Sequence, residues 1–226
     1  MGVISLDSAA VLKALGGSGE EIDARVERSI IDAGLQLAEL SPAERENCIL
    51  ECLQKISTDT QVVGDISRTE VWGKGWQENL DGYLMGQSVQ SLTPKFMRPG
   101  LPVRWQGEFY NPISSTFEVD FASVLRSYLF SYIETLGINE FHEFGAGTGW
   151  NLVHAANFLG PDVTLVGSDF VQSAVDLIRS VALSEQLNLE GRLFDMRNPS
   201  QDYEFKDPSK SAVFTFGAIE QLAGNI

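Results

Sequence analysis

Three glycines alternate after an acidic, apolar strand in Phe141-His142-Glu143-Phe144-Gly145-Ala146-Gly147-Thr148-Gly149. Glycine lets a backbone bend sharply and lets a ligand come within contact distance, where a Cβ would stand in the way. The residues before the turn read as a buried strand. Those after it, from about Gly149 to Phe158, read as a helix whose positive end points over the turn. Glu143 stands two residues ahead of the first glycine, where a carboxylate can meet a cationic group on a ligand. A glycine turn beside an acid suits a cationic, nucleoside-bearing cofactor better than a pyrophosphate.

The pattern acidic-x-Gly-x-Gly-x-Gly after a strand resembles motif I of the class I S-adenosylmethionine-dependent methyltransferases. The dinucleotide fingerprint G-x-G-x-x-G would place its third glycine where this chain has Trp150, so a nicotinamide oxidoreductase is disfavoured. The resemblance implies an α/β, Rossmann-like methyltransferase sheet, S-adenosyl-L-methionine as cofactor, and transferase activity. Gly145, Ala146, Gly147 and Gly149 then line the cofactor, with Glu143 below them. Val163-Thr164-Leu165-Val166-Gly167-Ser168-Asp169 reads as a second strand ending in an acid, about one strand-helix-strand unit further on. An acid at that tip accepts hydrogen bonds from ribose hydroxyls, and Phe170 beside it is placed to cover the adenine. A helix is expected from about Val171 to Leu183. Gly191-Arg192-Leu193-Phe194-Asp195-Met196 reads as a third strand. By the resemblance, Asp195 and the Met196 backbone hold the adenine amino group. Ala212 to Gly217 reads as a fourth strand.

Methyl transfer from a sulfonium is an in-line displacement, so catalysis rests on positioning, with a base where the acceptor must lose a proton. Glu220 and Gln221, just past the fourth strand, are the candidates, and Glu220 is the expected catalytic residue. The family sheet has seven strands, and four are read here. The chain is therefore expected to be a piece of a longer protein, incomplete after the fourth strand. The alternative function is a non-catalytic interaction or structural module that retains the fold.

A formal charge of −15 over 226 residues repels a phosphate backbone, and no Lys/Arg cluster offsets it. Nucleic-acid substrates are disfavoured, which leaves a small-molecule or protein acceptor. No apolar run approaches the roughly 20 residues that cross a bilayer. The N-terminus lacks the basic-then-apolar layout of a secretory leader, so a cytoplasmic protein without membrane attachment is expected. Two histidines and two cysteines form no metal constellation. His142 and His154 read as packing or surface residues, and Cys48 and Cys52 as buried thiols.

Ahead of the motif, residues 1–57 read as an α-helical region. Ser18-Gly19-Glu20-Glu21 and Ser41-Pro42-Ala43-Glu44 match capping boxes. Ile22, Val26, Ile30, Leu37 and Leu40 give one helical stripe; Ile49, Leu50, Leu53 and Ile56 give another. These stripes are expected to be buried as a helical cap on the cofactor domain, with a second copy or a neighbouring domain, met through them or through the open sheet edge, as the alternatives. Residues 58–114 carry Trp72, Trp76, Tyr83, Phe96, Trp105, Phe109 and Tyr110 among Gly and Pro. They read as an irregular, aromatic-rich connector or lid. Residues 115–226 form the expected cofactor domain. It opens with a capping box at Ser115-Thr116-Phe117-Glu118 and an amphipathic helix that stops at Gly137.

Overall fold

A computed structural model describes residues 2–17, 22–58, 68–86, 88–94, 97, 99–199, 202–219 and 222. In chain order the elements are β1 (Val3–Ser5), α1 (Ser8–Ala14), α2 (Ala24–Ala33), β2 (Gln36–Glu39), α3 (Pro42–Thr58) and α4 (Arg68–Leu84). Then come β3 (Val103–Trp105), β4 (Glu108–Pro112), α5 (Phe117–Thr135), β5 (Glu140–Phe144) and α6 (Trp150–Leu159). The last are β6 (Thr164–Asp169), α7 (Gln172–Ser184), β7 (Leu189–Leu193) and β8 (Ser211–Phe214). Short 3-10 turns lie at Val89–Leu92 and Pro208–Lys210. The chain divides into two compact units, residues 1–60 with 95–131 and residues 61–94 with 132–226.

The first unit holds an antiparallel sheet of order β1-β2-β4-β3, so the N-terminal region is not the all-helical piece that the stripes suggest. Gly34 is the reason. It takes a left-handed conformation (φ +52°), and its N–H closes the last turn of α2 on the Ile31 carbonyl. Leu35 and Leu37 beyond it are buried by strand alternation, in a core with Val26, Ile30 and Val124. Leu37 and Leu40 therefore do not continue the helical stripe.

The Ser41–Glu44 capping box forms. Glu44 Oε2 accepts from the Ser41 backbone N–H (2.8 Å) and hydroxyl (2.6 Å). The Ser18–Glu21 box lies outside the described residues. At the start of α5 the answering acid is Asp120, bonded to the Thr116 hydroxyl at 2.6 Å, rather than Glu118. No residue of α3 is buried, and Leu50, Leu53 and Ile56 are exposed.

The second unit carries a parallel sheet of order β7-β6-β5-β8. The chain runs outward from β5 through β6 to β7, then returns to the opposite side of β5. This makes a topological switch point between β5 and β6 on one hand and β8 on the other. Alternation sorts β5 into two faces. Phe141 and Glu143 share one with Gly167 and Gly191, against which α6 and α7 pack; a Cβ on Gly167 would meet Leu152 and Ile178, and one on Gly191 would meet the Val175 carbonyl oxygen. Glu140, His142 and Phe144 line the other face.

That second face is covered by the β7–β8 connection, which has no α-helix among its described residues. Tyr203 and Phe205 seat their rings edge-on against His142, at 5.7 and 4.6 Å between centroids. The Tyr203 hydroxyl bridges His142 Nδ1 (2.7 Å) and Ser168 Oγ (3.0 Å). The Glu140 carboxylate accepts from the Lys206 backbone N–H at 3.0 Å and lies 3.0 Å from His142 Nε2. Burial pushes the His142 imidazole below its usual range. His142 thus pins the crossover segment to the sheet, which agrees with its reading as a packing residue.

The segment expected to be irregular contains the 17-residue helix α4 as well as β3 and β4. The interruptions that mask α4 in the sequence are Gly73 and Gly75. Gly73 sits where α4 approaches α7, and a Cβ there would touch Val171 Cγ1. No helix of the described residues is long and apolar enough to cross a membrane.

Gly167→Ala is the sharpest test of the packed face. The added methyl lands 2.6 Å from Leu152 Cδ1 and 2.9 Å from Ile178 Cδ1. Overpacking of this kind costs about 1–3 kcal/mol. Urea unfolding should show a lowered midpoint with an unchanged slope.

Candidate functional site

The glycine turn joins β5 to α6 at the switch point. Gly145, Gly147 and Gly149 all take positive φ, at +71°, +53° and +73°. Only glycine populates that region without penalty, and three such residues in alternation make the turn tight. A Cβ on Gly147 would meet the Trp76 ring at 3.0 Å, and one on Gly145 would collide with Ala218 and touch Met196 Cε. Neighbouring side chains come close to the turn because the glycines carry none.

The turn's amides are engaged within the protein. Gly145 and Ala146 N–H both donate to the Ser168 carbonyl, at 2.8 and 3.0 Å. Gly147 N–H donates to Asp169 Oδ2 at 3.0 Å, and Gly149 N–H to the Ala146 carbonyl at 2.9 Å. A pyrophosphate cradle keeps such donors for the ligand. Here those four are already satisfied.

Asp169 stands at the tip of β6. Its other oxygen accepts from the Val171 N–H at 3.1 Å, and the residue is 4% exposed. Burial pushes its carboxyl up to about 6, against the pull of the backbone N–H groups of Gly147, Val171 and Phe170. Glu143 is buried on the helix-covered face of β5, and Asn151 of α6 donates to its Oε1 at 2.7 Å.

Asp195 and Phe170 are brought together by a residue the sequence reading missed. Arg197 donates to Asp195 through its backbone N–H (2.9 Å) and through Nε and Nη2 (2.9 and 2.8 Å). The same guanidinium stacks 4.6 Å over the Phe170 ring. The Arg197 fork holds the Asp195 carboxyl below the usual carboxylate range. One face of Phe170, which is partly exposed, is thereby taken. Met196 contributes its side chain toward Gly145, whereas only its backbone was anticipated.

Two further elements reach the turn. Thr148 Oγ1 donates to the Leu92 carbonyl at 2.7 Å, which ties the Val89–Leu92 turn to the glycines. Trp76 of α4 lays its ring edge on Gly147. The signal for Trp76 was present as the Trp72/Trp76 spacing, which puts both rings on one helical face. Thr215 Oγ1, just beyond the tip of β8, is buried without a hydrogen-bond partner among the described residues. Glu220 and Gln221 lie outside the described residues. Among the described residues no group of His, Cys, Asp and Glu is arranged to hold a metal ion.

The class of protein that this geometry defines is an α/β fold with a parallel sheet, in which a glycine turn and acidic residues gather at a topological switch point. No family model matches the chain, and no curated protein matches it. Solved structures similar to it include a geranyl diphosphate C-methyltransferase from Streptomyces coelicolor A3(2), in complex with Mg2+, geranyl diphosphate and S-adenosyl-L-homocysteine. It is 18% identical with a TM-score of 0.33, over 62% of this chain and 53% of that one. A protein-L-isoaspartate O-methyltransferase matches at 16% identity and a TM-score of 0.32, over 63% and 47%. A coclaurine N-methyltransferase bound to N-methylheliamine and S-adenosylhomocysteine matches at 14% identity and 0.34, over 73% and 52%. All three are methyltransferases, and this chain spans about half the length of each.

The Asp169 carboxyl supplies a signed prediction. Its folded value of about 6 lies above the ordinary 3.8. The folded state therefore holds the proton more tightly, and this group's contribution to stability is greatest below pH 3.8. That contribution is lost as pH rises to about 6. Thermal unfolding followed from pH 4 to 7 should show this decline in the wild type, and Asp169→Asn should remove it.

Proposed function

We propose that this chain is part of an S-adenosyl-L-methionine-dependent methyltransferase, with a Rossmann-like sheet of which β5 to β8 are the first four strands. The observation that carries the reading is the glycine turn itself. Its amides at 145, 146, 147 and 149 are spent internally and carboxylates flank it, so it suits a cationic nucleoside and not a pyrophosphate. Trp150 in place of a third fingerprint glycine favours the same choice.

The residues present fit the cofactor. Gly145, Ala146, Gly147 and Gly149 give it close approach to the backbone. Asp169 stands where ribose hydroxyls can donate to it, with lone pairs left beyond its two backbone bonds. Phe170 offers one ring face, and Asp195, kept ionised by Arg197, accepts from an exocyclic amine. Glu143, oriented by Asn151, places a carboxyl group beneath the turn. The bound cofactor supplies a sulfonium methyl group as electrophile. The chain's part is to hold donor and acceptor in line and exclude water. Glu220 is proposed as the base for an acceptor that loses a proton. The acceptor is proposed to be a small molecule or a protein, and the setting cytoplasmic.

Calorimetric titration tests the reading. S-adenosylmethionine and S-adenosylhomocysteine should bind with micromolar affinity and NAD should not. Gly147→Val, which forces a branched side chain into a φ of +53° against Trp76, should abolish binding. If NAD bound instead, the methyl-donor reading would fail. The affinity for S-adenosylmethionine should weaken as the pH falls through about 6, because Asp169 is then protonated and adds a donor where an acceptor is needed.

A further inference from the structure

Helix α4 is fastened to the glycine turn by contacts that have no part in the reading above. The Ser173 hydroxyl donates to the Gly73 carbonyl at 2.9 Å, and the Tyr83 hydroxyl donates to Glu185 Oε1 at 3.1 Å. Together with the bond from Thr148 to Leu92, these hold α4 along α7, from its first turn to its C-terminal cap, and hold the turn after α4 beside the glycines. Trp76, one turn beyond Gly73, is carried by that scaffold. Its Cζ2 and Cη2 atoms lie 3.0 and 3.1 Å from where a Gly147 Cβ would be. Trp72 stacks behind it, with centroids 5.7 Å apart and planes at 21°. The Trp76 ring is partly exposed.

Glu143 and Asp169 flank the turn, and the nearby guanidinium of Arg197 is committed to Asp195 and Phe170. An indole face is itself negative and attracts a cation within about 6 Å more strongly than any other side-chain ring.

We propose that Trp76, buttressed by Trp72, forms an aromatic wall over Gly147 that selects a cationic ligand over its neutral counterpart. This inference rests on the methyl-donor reading and names what sets its charge preference. A wall of this kind favours the sulfonium donor over the thioether left after methyl transfer, and so helps the spent cofactor to leave.

The two cofactor forms differ by one methyl group and one positive charge, and that makes the test specific. Wild type, Trp76→Leu and Trp76→Phe are titrated with S-adenosylmethionine and S-adenosylhomocysteine, with circular dichroism to check the fold. Trp76→Leu should weaken the sulfonium form about 10-fold and the thioether form no more than about twofold; Trp76→Phe should recover part of the difference. Fluorinated tryptophan, which keeps the ring's shape and drains its negative face, supplies a measurement independent of folding. Affinity for the sulfonium form should fall stepwise with fluorination in the wild type and stay flat in the Trp76→Phe background. Equal weakening of both forms, or no trend with fluorination, would overturn the aromatic wall and leave the cofactor assignment standing. Failure of the wild type to bind either form would overturn the cofactor assignment itself.

Discussion

The arrangement at the switch point depends on one buried carboxylate. Asp169 receives the Gly147 N–H on one oxygen and the Val171 N–H on the other. It thereby fixes the middle of the glycine turn, the end of β6 and the start of α7 relative to one another. Burial makes its charge costly, as its raised pKa shows, and the backbone donors offset part of that cost. Replacing one anchor by solvent would free three elements together. The other contacts of the turn, from Gly145 and Ala146 to the Ser168 carbonyl, complete a connection that leaves little freedom in the backbone.

The opposite face of the sheet is fixed by a different device. The chain must cross from β7 back to β8, and among the described residues no α-helix makes the crossing. His142 and Tyr203 take its place. The Tyr203 hydroxyl bridges two strands through His142 and Ser168, while Glu140 accepts from the crossing backbone at Lys206. An irregular segment needs such polar anchors, because it satisfies fewer of its own backbone groups than a helix does. An open groove of about 530 Å³ runs along this segment, lined by Arg192, Phe194 and Lys206 among others. It lies on the β7 side of the sheet and holds none of the glycine-turn residues.

The strand-tip residues illustrate how a site is assembled from separate stretches of chain. Glu143 lies near the end of β5, Asp169 ends β6 and Asp195 follows β7, and each is held by a partner: Asn151, the turn amides and Arg197. Each partner orients an acceptor oxygen. Parallel strands bring these tips to one end of the sheet, where ligands bind in open α/β folds.

Much of this was legible in the sequence, because it is local. Alternating glycines demand a left-handed turn, apolar runs of four to six residues ending in acids demand buried parallel strands, and a Ser-Pro-x-Glu sequence demands a helix start. Helices α5, α6 and α7 follow from spacing alone. The N-terminal sheet was not legible. A stripe through Ile22, Val26 and Ile30 extends to Leu37 by helical arithmetic, and only the conformation of Gly34 ends it. Helix α4 was hidden by Gly73 and Gly75, which are poor helix formers in isolation. Packing against α7 outweighs that cost. Arg197, Asn151 and Trp76 are ordinary residues until folding sets them beside Asp195, Glu143 and Gly147. By itself the sequence determined the strands, the turn and the acids at their tips, since neighbouring residues decide these. Tertiary structure alone decided that the turn meets Asp169 and that Trp76 covers it, because those contacts join residues that are distant in the chain, whereas Arg197 meets Asp195 from only two residues away.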